Sequence, residues 1–213
     1  DDFRRYWREE HPKAVLQLPG LRKYVQNHLT DNNYRTASEG GAEPIADGVA
    51  ETWWDDREAL AAHRGTTALD ELMVDEDRFI DPDRRDQFVA EEVVINPLGI
   101  PVGGGLKQVV LVKRKAGMAM PEAMAHWRDV HGPLAVKAEG IGRYVQSHAM
   151  AHQYREGRPE PTYDGLTAVW FADSEAARSA GGSSEMQEVV ADQPLFLDEH
   201  SIVMLNVAEH HII

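Results

Sequence analysis

The second half of the chain repeats the first at a fixed spacing of 120 residues, from Trp7 to Trp127 and from His11 to His131. The stretch Gly-Leu-Arg-Lys-Tyr-Val-Gln-Asn-His, which begins at position 20, returns from position 140 as Gly-Ile-Gly-Arg-Tyr-Val-Gln-Ser-His. Self-similarity over this length is the mark of a duplicated structural unit. The chain must therefore fold as two versions of one small architecture.

The match continues more loosely at a spacing of 117 residues. It pairs Asp47-Gly48 with Asp164-Gly165, and Phe79-Ile-Asp81 with Phe196-Leu-Asp198. We predict a first repeat over 1–95, a Pro/Gly-rich linker over 96–106 and a second repeat over 107–213. Units of this size bury a small fraction of their surface, so we expect the two to pack against each other.

Each repeat reads as β-α-β-β-α-β, which is the ferredoxin-like pattern. The Val-rich run 107–113 predicts a strand, and Pro121 predicts a helix start, with the helix ending near Gly132. Segments 21–29 and 141–149 alternate as strands do. Further strands are expected near 49–54, 92–95, 166–171 and 201–207, and helices over 3–10, 56–63 and 174–191. The first repeat shows no strand before its helix and opens with Asp rather than Met, which predicts residues upstream.

This pattern predicts an α+β fold in which two ferredoxin-like units pack face to face as an intramolecular α+β barrel. The face that carries Tyr24, Gln26 and His28 in the first repeat is expected to be the one that the helices leave uncovered. Its counterparts Tyr144 and His148 should then line the same enclosed space. A site for a small molecule is expected there.

Composition limits the partners. A formal net charge of −14 argues against nucleic acid and anionic membranes, because both need a cationic surface. The sequence has no cysteine, which excludes disulfides and thiolate chemistry and fits a cytoplasmic setting. It contains no apolar run long enough to span a membrane and no signal-peptide pattern. Fused repeats need no partner to close a barrel, yet two-fold assemblies are common, so a homodimer stays open.

The ordered set Trp-x-x-x-His, Gly, Tyr-Val-Gln-x-His and Phe-x-Asp, present twice, resembles EthD-type proteins of the dimeric α+β-barrel superfamily. The resemblance implies a barrel with a small-molecule site. The superfamily includes muconolactone-type isomerases, polyketide cyclases, cofactor-free monooxygenases and haem-binding relatives. Since one fold carries many reactions, the resemblance indicates fold more closely than chemistry.

We expect catalytic roles for two histidines at helix ends and two strand tyrosines: His11, His131, Tyr24 and Tyr144. Substrate-binding roles are expected for His28, His148, Gln26, Gln146, Trp7 and Trp127. Imidazole exchanges protons near neutral pH, and a phenol can orient a carbonyl. Structural alternatives are a helix-terminal histidine, core tyrosines and tryptophans that anchor the helix. Asp81 and Asp198 would either orient a histidine or cap a turn.

These residues favour a cofactor-independent isomerase, cyclase or lyase that acts on a small aromatic, polyketide-like or lactone compound. We expect no metal and no organic cofactor, since no metal-binding motif is present. A non-catalytic carrier of a hydrophobic ligand is the main alternative. A haem protein with a histidine ligand is a further one. The second repeat, whose strand set is complete, is the preferred site of chemistry.

Overall fold

The computed structural model describes residues 2–31, 44–97, 105–157 and 159–213, which form two compact units. Unit 1 contains the chain up to Arg85 together with Ala208–Ile213, and unit 2 contains Asp86–Val207. The predicted linker lies mostly outside the described residues. Among the described helices, none has the length and apolar character needed to cross a bilayer.

Unit 1 begins with helices α1 (Asp2–Glu9) and α2 (Pro12–Val15), followed by strands β1 (Leu21–Leu29) and β2 (Gly48–Trp54). The two strands are antiparallel, with Tyr24 opposite Thr52. Helices α3 (Arg57–Ala61) and α4 (Thr67–Glu76) come next. Asp56 caps α3 by accepting hydrogen bonds from two backbone N–H groups, and Thr66 caps α4. The second of these helices lies beyond the predicted helix, which ended at residue 63.

The end of the chain completes unit 1. The backbone N–H of Tyr24 donates to Ile213 O at 3.2 Å, and the N–H of Ile212 donates to Tyr24 O at 2.9 Å. These bonds extend the sheet on the edge of β1. A small core of Val15, Leu18, Tyr24 and Leu72 lies between this sheet and the helices.

Unit 2 contains strands β3 (Ala90–Asn96), β4 (Leu106–Val112), β5 (Ile141–Ala149), β6 (Gly165–Phe171) and the first part of β7 (Val203–His211). They are hydrogen-bonded in the order β7-β4-β6-β5-β3, and all the pairs are antiparallel. The order β7-β4-β6-β5 is that of a ferredoxin-like unit. The α+β prediction is therefore confirmed. Strand β3, assigned to the first repeat, lies in unit 2 beside β5.

The helices of unit 2 differ from the prediction in two places. The first runs as α5 (Met120–His126), a π-helical turn (Trp127–His131) and α6 (Gly132–Ala135), so it continues past Gly132. Proline is accepted at position 133 because the first turn of a helix has unpaired N–H groups. The helix predicted over 174–191 is two helices, α7 (Ser174–Gly181) and α8 (Ser184–Phe196), since Ser183 caps a new start.

Two glycines let the first helix of each repeat approach its sheet. A Cβ on Gly165 would lie 2.5 Å from the Trp127 ring and 2.6 Å from Ser147 O. A Cβ on Gly48 would lie 2.4 Å from the Trp7 ring. These distances are far below van der Waals contact, so each tryptophan packs directly on the backbone of a strand. This explains why the repeat keeps glycine at both positions.

We predict that Gly165→Ala lowers the free energy of unfolding by about 1–3 kcal/mol, because the indole or the strand must move. Gly48→Ala should act in the same way in unit 1. The control is Gly181→Ala in α7, where no atom lies within 4 Å of the added Cβ. It should leave stability unchanged or raise it by up to about 1 kcal/mol. Urea unfolding of the three variants measures this, and equal midpoints for Gly165→Ala and Gly181→Ala would contradict the packing argument.

Candidate active site

A widened helical turn shapes the site in both units. In unit 2 the π-helical turn is closed by the N–H of Gly132, which donates to Trp127 O. In unit 1 the N–H of His11 donates to Tyr6 O, also five residues back, at 3.1 Å. Pro12 then has no N–H to offer to the next carbonyl. Turns of this type disturb the regular ladder of a helix and are frequent at functional sites.

A glutamine from the neighbouring strand bonds to the tryptophan carbonyl in each of these turns. Gln146 Nε2 lies 2.9 Å from Trp127 O, and Gln26 Nε2 lies 2.6 Å from Trp7 O. Both glutamines are fully buried, so this bond replaces the water that the amide gives up. The helix and the strand are thereby fixed to each other at one peptide group.

The same glutamines hold the strand histidines. His148 Nε2 lies 2.8 Å from Gln146 Oε1, and His28 Nε2 lies 3.0 Å from Gln26 Oε1. Trp127 stacks on His148 with ring centroids 4.6 Å apart and an interplanar angle of 6°. In unit 1, Trp7 stacks on His28 at 4.2 Å and 15°. Six of the predicted site residues thus come together as two matched clusters.

The tyrosines join these clusters from the same strand face. Trp7 Nε1 donates to Tyr24 Oη at 3.2 Å, and Gln26 Nε2 donates to it at 2.9 Å. Tyr144 has the corresponding contacts with Gln146 and Trp127. These side chains therefore lie under the helices of their own unit.

The expectation that the face bearing Tyr24, Gln26 and His28 is left uncovered is wrong. Strand alternation separates two faces but does not decide which one the helices cover. The polar face can be the covered one here because a helix carbonyl and an indole N–H satisfy its buried groups. The candidate site therefore lies between helix and sheet within each unit.

A carboxylate that the sequence analysis did not select orients each helix histidine. His131 Nδ1 lies 2.9 Å from Asp192 Oδ2, and His126 Nε2 lies 2.9 Å from Asp192 Oδ1. The ring of Phe196 packs against both imidazoles, with centroids 5.0 and 4.8 Å away. Asp192 is 7% exposed, so its charge is held largely by these two contacts.

Unit 1 has the same arrangement with one substitution. His11 Nδ1 lies 2.8 Å from Asp75 Oδ2, and Phe79 packs on His11 at 5.0 Å. The Oδ1 atom of Asp75 accepts a hydrogen bond from the Tyr6 hydroxyl at 2.5 Å. A phenol thus stands where unit 2 has the imidazole of His126.

The repeat itself contained the signal for this carboxylate. Asp75 and Asp192 obey the spacing of 117 residues, and each lies near the end of a helix, four residues before a matched phenylalanine. By contrast, Asp81 and Asp198 accept hydrogen bonds from the backbone N–H groups of Asp83 and His200. They cap short turns, and the alternative role of orienting a histidine is wrong for both.

The hydrogen bonds fix the imidazole tautomers. A carboxylate and an amide oxygen only accept, so His131 carries its proton on Nδ1 and His148 carries its proton on Nε2. This leaves a lone pair on Nε2 of His131, for which no partner is found among the described residues. The same holds for His11 in unit 1. Each unit therefore presents, at the end of its first helix, an oriented basic nitrogen without a partner among the described residues.

Burial sets the charge states. It lowers the pKa of His131, against the opposing hydrogen bond and charge of Asp192. It lowers the pKa of both His28 and His148 to about 4. It raises the pKa of Tyr24 to about 12 and raises that of Tyr144 as well. At neutral pH, His28, His131 and His148 are therefore neutral and the phenols keep their protons.

The arrangement is suited to general base chemistry. A neutral imidazole held at Nδ1 by a carboxylate can take a proton at Nε2, and the imidazolium that forms is stabilised by that carboxylate. Among the described residues, no group of three or more histidines and carboxylates is arranged to hold a metal ion.

We predict that Asp192→Asn lowers the pKa of His131 further, because it removes the charge that opposes the effect of burial. Proton NMR titration of the histidine ring signals measures this. Asp198→Asn is the matched control, since it keeps the turn cap and should leave His131 unchanged. An unchanged His131 titration in Asp192→Asn would show that the carboxylate does not act on it.

A second prediction concerns stability against pH. The pKa of His148 is 6.5 in an ordinary setting and about 4 in the folded protein, so the unfolded chain binds a proton that the folded state resists. Above the ordinary pKa, the neutral ring costs the folded state nothing. As pH falls from there towards the pKa of the folded protein, the free energy of unfolding decreases by about 1–3 kcal/mol. His148→Gln keeps a donor for Gln146 and does not titrate. Its unfolding free energy should fall less over this interval, and parallel curves would contradict the assignment.

Comparison with known proteins agrees with this architecture. A family model of the EthD domain matches residues 1–83 and 115–200. An isonitrile lipopeptide synthase of Mycobacterium marinum is 29% identical over 126 residues, which are 54% of this chain and 9% of that protein. The chain thus spans under a tenth of the length of this curated relative.

One solved structure shares the fold at low identity. A candidate monooxygenase from Lactobacillus acidophilus aligns over 98% of this chain and 86% of its own, with a TM-score of 0.51 and 9% identity. An EthD family protein from Bacillus halodurans covers 46% of this chain and 94% of its own, with a TM-score of 0.35 and 16% identity. The first likeness supports the predicted α+β-barrel class and shows nothing of the reaction. From the two matches of the family model, this chain belongs to the EthD domain family and carries two copies of the domain.

Proposed function

We propose that the protein is a cofactor-independent enzyme that removes a proton from an activated carbon of a small aromatic, polyketide-like or lactone compound. The observation that supports this most directly is the pair of His131 and Asp192, which leaves Nε2 of the histidine unpaired. Isomerisation, cyclisation and elimination all begin with such a step. Proton transfer by one positioned imidazole contributes about 10²- to 10⁴-fold to a rate.

In this proposal, His131 and His11 act as bases and their aspartates act as positioning residues. His148, His28, Gln146 and Gln26 hold the tryptophans and shape the ligand side of the site. Tyr24 and Tyr144 keep their protons at neutral pH, so their hydroxyl groups position neighbouring groups and do not exchange a proton. Trp7 and Trp127 are buried and support the histidine rings by stacking on them.

The second unit is the stronger candidate for turnover. After proton abstraction, the imidazolium of His131 has to lose its proton before the next cycle. Its side chain is 7% exposed, whereas that of His126, on the other oxygen of Asp192, is 22% exposed. His126 can therefore accept charge at the solvent side of the same carboxylate. Its counterpart in unit 1 is the hydroxyl of Tyr6, which donates to Asp75 and has no ring nitrogen that could take up a proton.

A direct test uses nitrobenzisoxazole, an apolar aromatic probe whose C–H is removed by a base while its N–O bond breaks. The electron pair of the C–H bond forms the nitrile, and the oxygen leaves as a coloured phenolate. We predict turnover by the wild-type protein and a loss of about 100-fold in His131→Ala. His11→Ala should have the smaller effect, and Asp198→Asn should have none.

Full activity in both alanine variants would end the acid–base proposal. Binding of the probe without turnover, unchanged by either substitution, would favour a carrier. Circular dichroism and unfolding midpoints of each variant show whether a loss of activity reflects a loss of folded protein.

A further inference from the structure

Arg8 is a cation without a carboxylate partner among the described residues, in a chain whose net charge is −14. Its side chain is exposed, and its guanidinium contacts the ring of His210. The matched residue of the second repeat, Arg128, bonds to Asp129 through Nε at 2.8 Å and Nη2 at 2.7 Å. The same position of the repeat thus carries an arginine without a carboxylate partner among the described residues of unit 1 and a carboxylate-paired arginine in unit 2.

A continuous row of rings leads from Arg8 into the site of unit 1. His210 meets His28 edge to face, with ring centroids 4.8 Å apart, and His28 stacks on Trp7. Burial lowers the pKa of both histidines, and the charge of Arg8 adds to this effect, while at His210 the charge of Glu209 opposes it. They are therefore neutral at pH 7, and the guanidinium supplies the positive charge at the outer end of the row.

The surroundings strengthen this difference between the repeats. Arg4, one turn earlier on α1, adds to the positive potential at His28 even though it is bonded to Asp31. The matched position in the second repeat is Met124, which is apolar and buried. An anion would thus be attracted to this end of unit 1 and not to the equivalent end of unit 2.

We propose that Arg8 binds the carboxylate of a small aromatic acid, so that unit 1 takes an anionic ligand whereas unit 2 takes a neutral one. The aromatic part of this ligand rests on the proposed function. A guanidinium offers two parallel N–H donors that match a carboxylate, and its flat face stacks well on rings. His210, the partly exposed end of the row, gives an aromatic body a ring to lie beside.

The test is calorimetric titration with naphthoate and with naphthamide, which differ in charge and hardly in shape. We expect the wild-type protein to prefer naphthoate. Arg8→Met, which keeps the apolar stem, should lower the affinity for naphthoate about fivefold or more and leave the affinity for naphthamide unchanged. Arg128→Met is the matched control and should change neither. Raising the salt concentration from about 0.05 M to about 0.5 M should lower the affinity for naphthoate and not the affinity for naphthamide.

Equal binding of naphthoate by the wild type and Arg8→Met overturns the proposal, as does the absence of any preference for naphthoate. Failure of the proposed function gives a different result, because it is measured by turnover of nitrobenzisoxazole in His131→Ala and His11→Ala. If the protein prefers naphthoate but does not turn over nitrobenzisoxazole, the anion site is supported and the proposed role of the histidines as bases is rejected. Unfolding midpoints of Arg8→Met and Arg128→Met confirm that both remain folded.

Discussion

The structure depends on one contact in each repeat, in which a strand glutamine donates a hydrogen bond to a tryptophan carbonyl of the first helix. When a helix widens by one residue, the ladder of backbone bonds is displaced, and a buried carbonyl without a partner costs about 1–3 kcal/mol. Gln26 removes that cost at Trp7, to which Pro12 has no N–H to offer. Gln146 adds a second donor at Trp127, whose carbonyl also accepts from the N–H of Gly132. In doing so they fix the indole over a histidine and set the tautomer of that histidine. The position and the chemistry of the site follow from this single contact.

The duplication lets each unit serve as a control for the other. Both keep the glutamine, the tryptophan, the two histidines and the aspartate, so these residues form one inherited framework. The units differ at the edge of that framework, where unit 1 has Tyr6 in place of His126 and where Arg128 is neutralised by a carboxylate but Arg8 is not. Differences at the edge change which ligand is attracted and how a proton leaves, while the framework stays the same.

The repeat and the resemblance to EthD proteins could be recognised from the sequence. The strands were predicted closely because side-chain alternation and turn residues are local features. Strands β1 and β5 have the predicted bounds, Leu21–Leu29 and Ile141–Ala149. Helix α4 was missed because Gly65 and Thr66 break the helical pattern that precedes it, and Asp75 was missed with it. The covered face of β1 was assigned wrongly because polar side chains usually face away from helices. Only a long-range contact, the one from Gln26 to Trp7 O, reverses that expectation.

The bonds between Tyr24 and residues 212–213 have a consequence for how unit 1 assembles. They join positions separated by almost the whole chain, so the loop that must close before they form is very long. The entropy of closing such a loop delays contact formation, and distant strand pairing slows folding. During synthesis, the edge of β1 stays unpaired until residues 212–213 have been made, whereas β4, β5 and β6 can pair earlier. The edge of β1 that bonds to residues 212–213 should therefore be among the last parts of the protein to gain protection from hydrogen exchange.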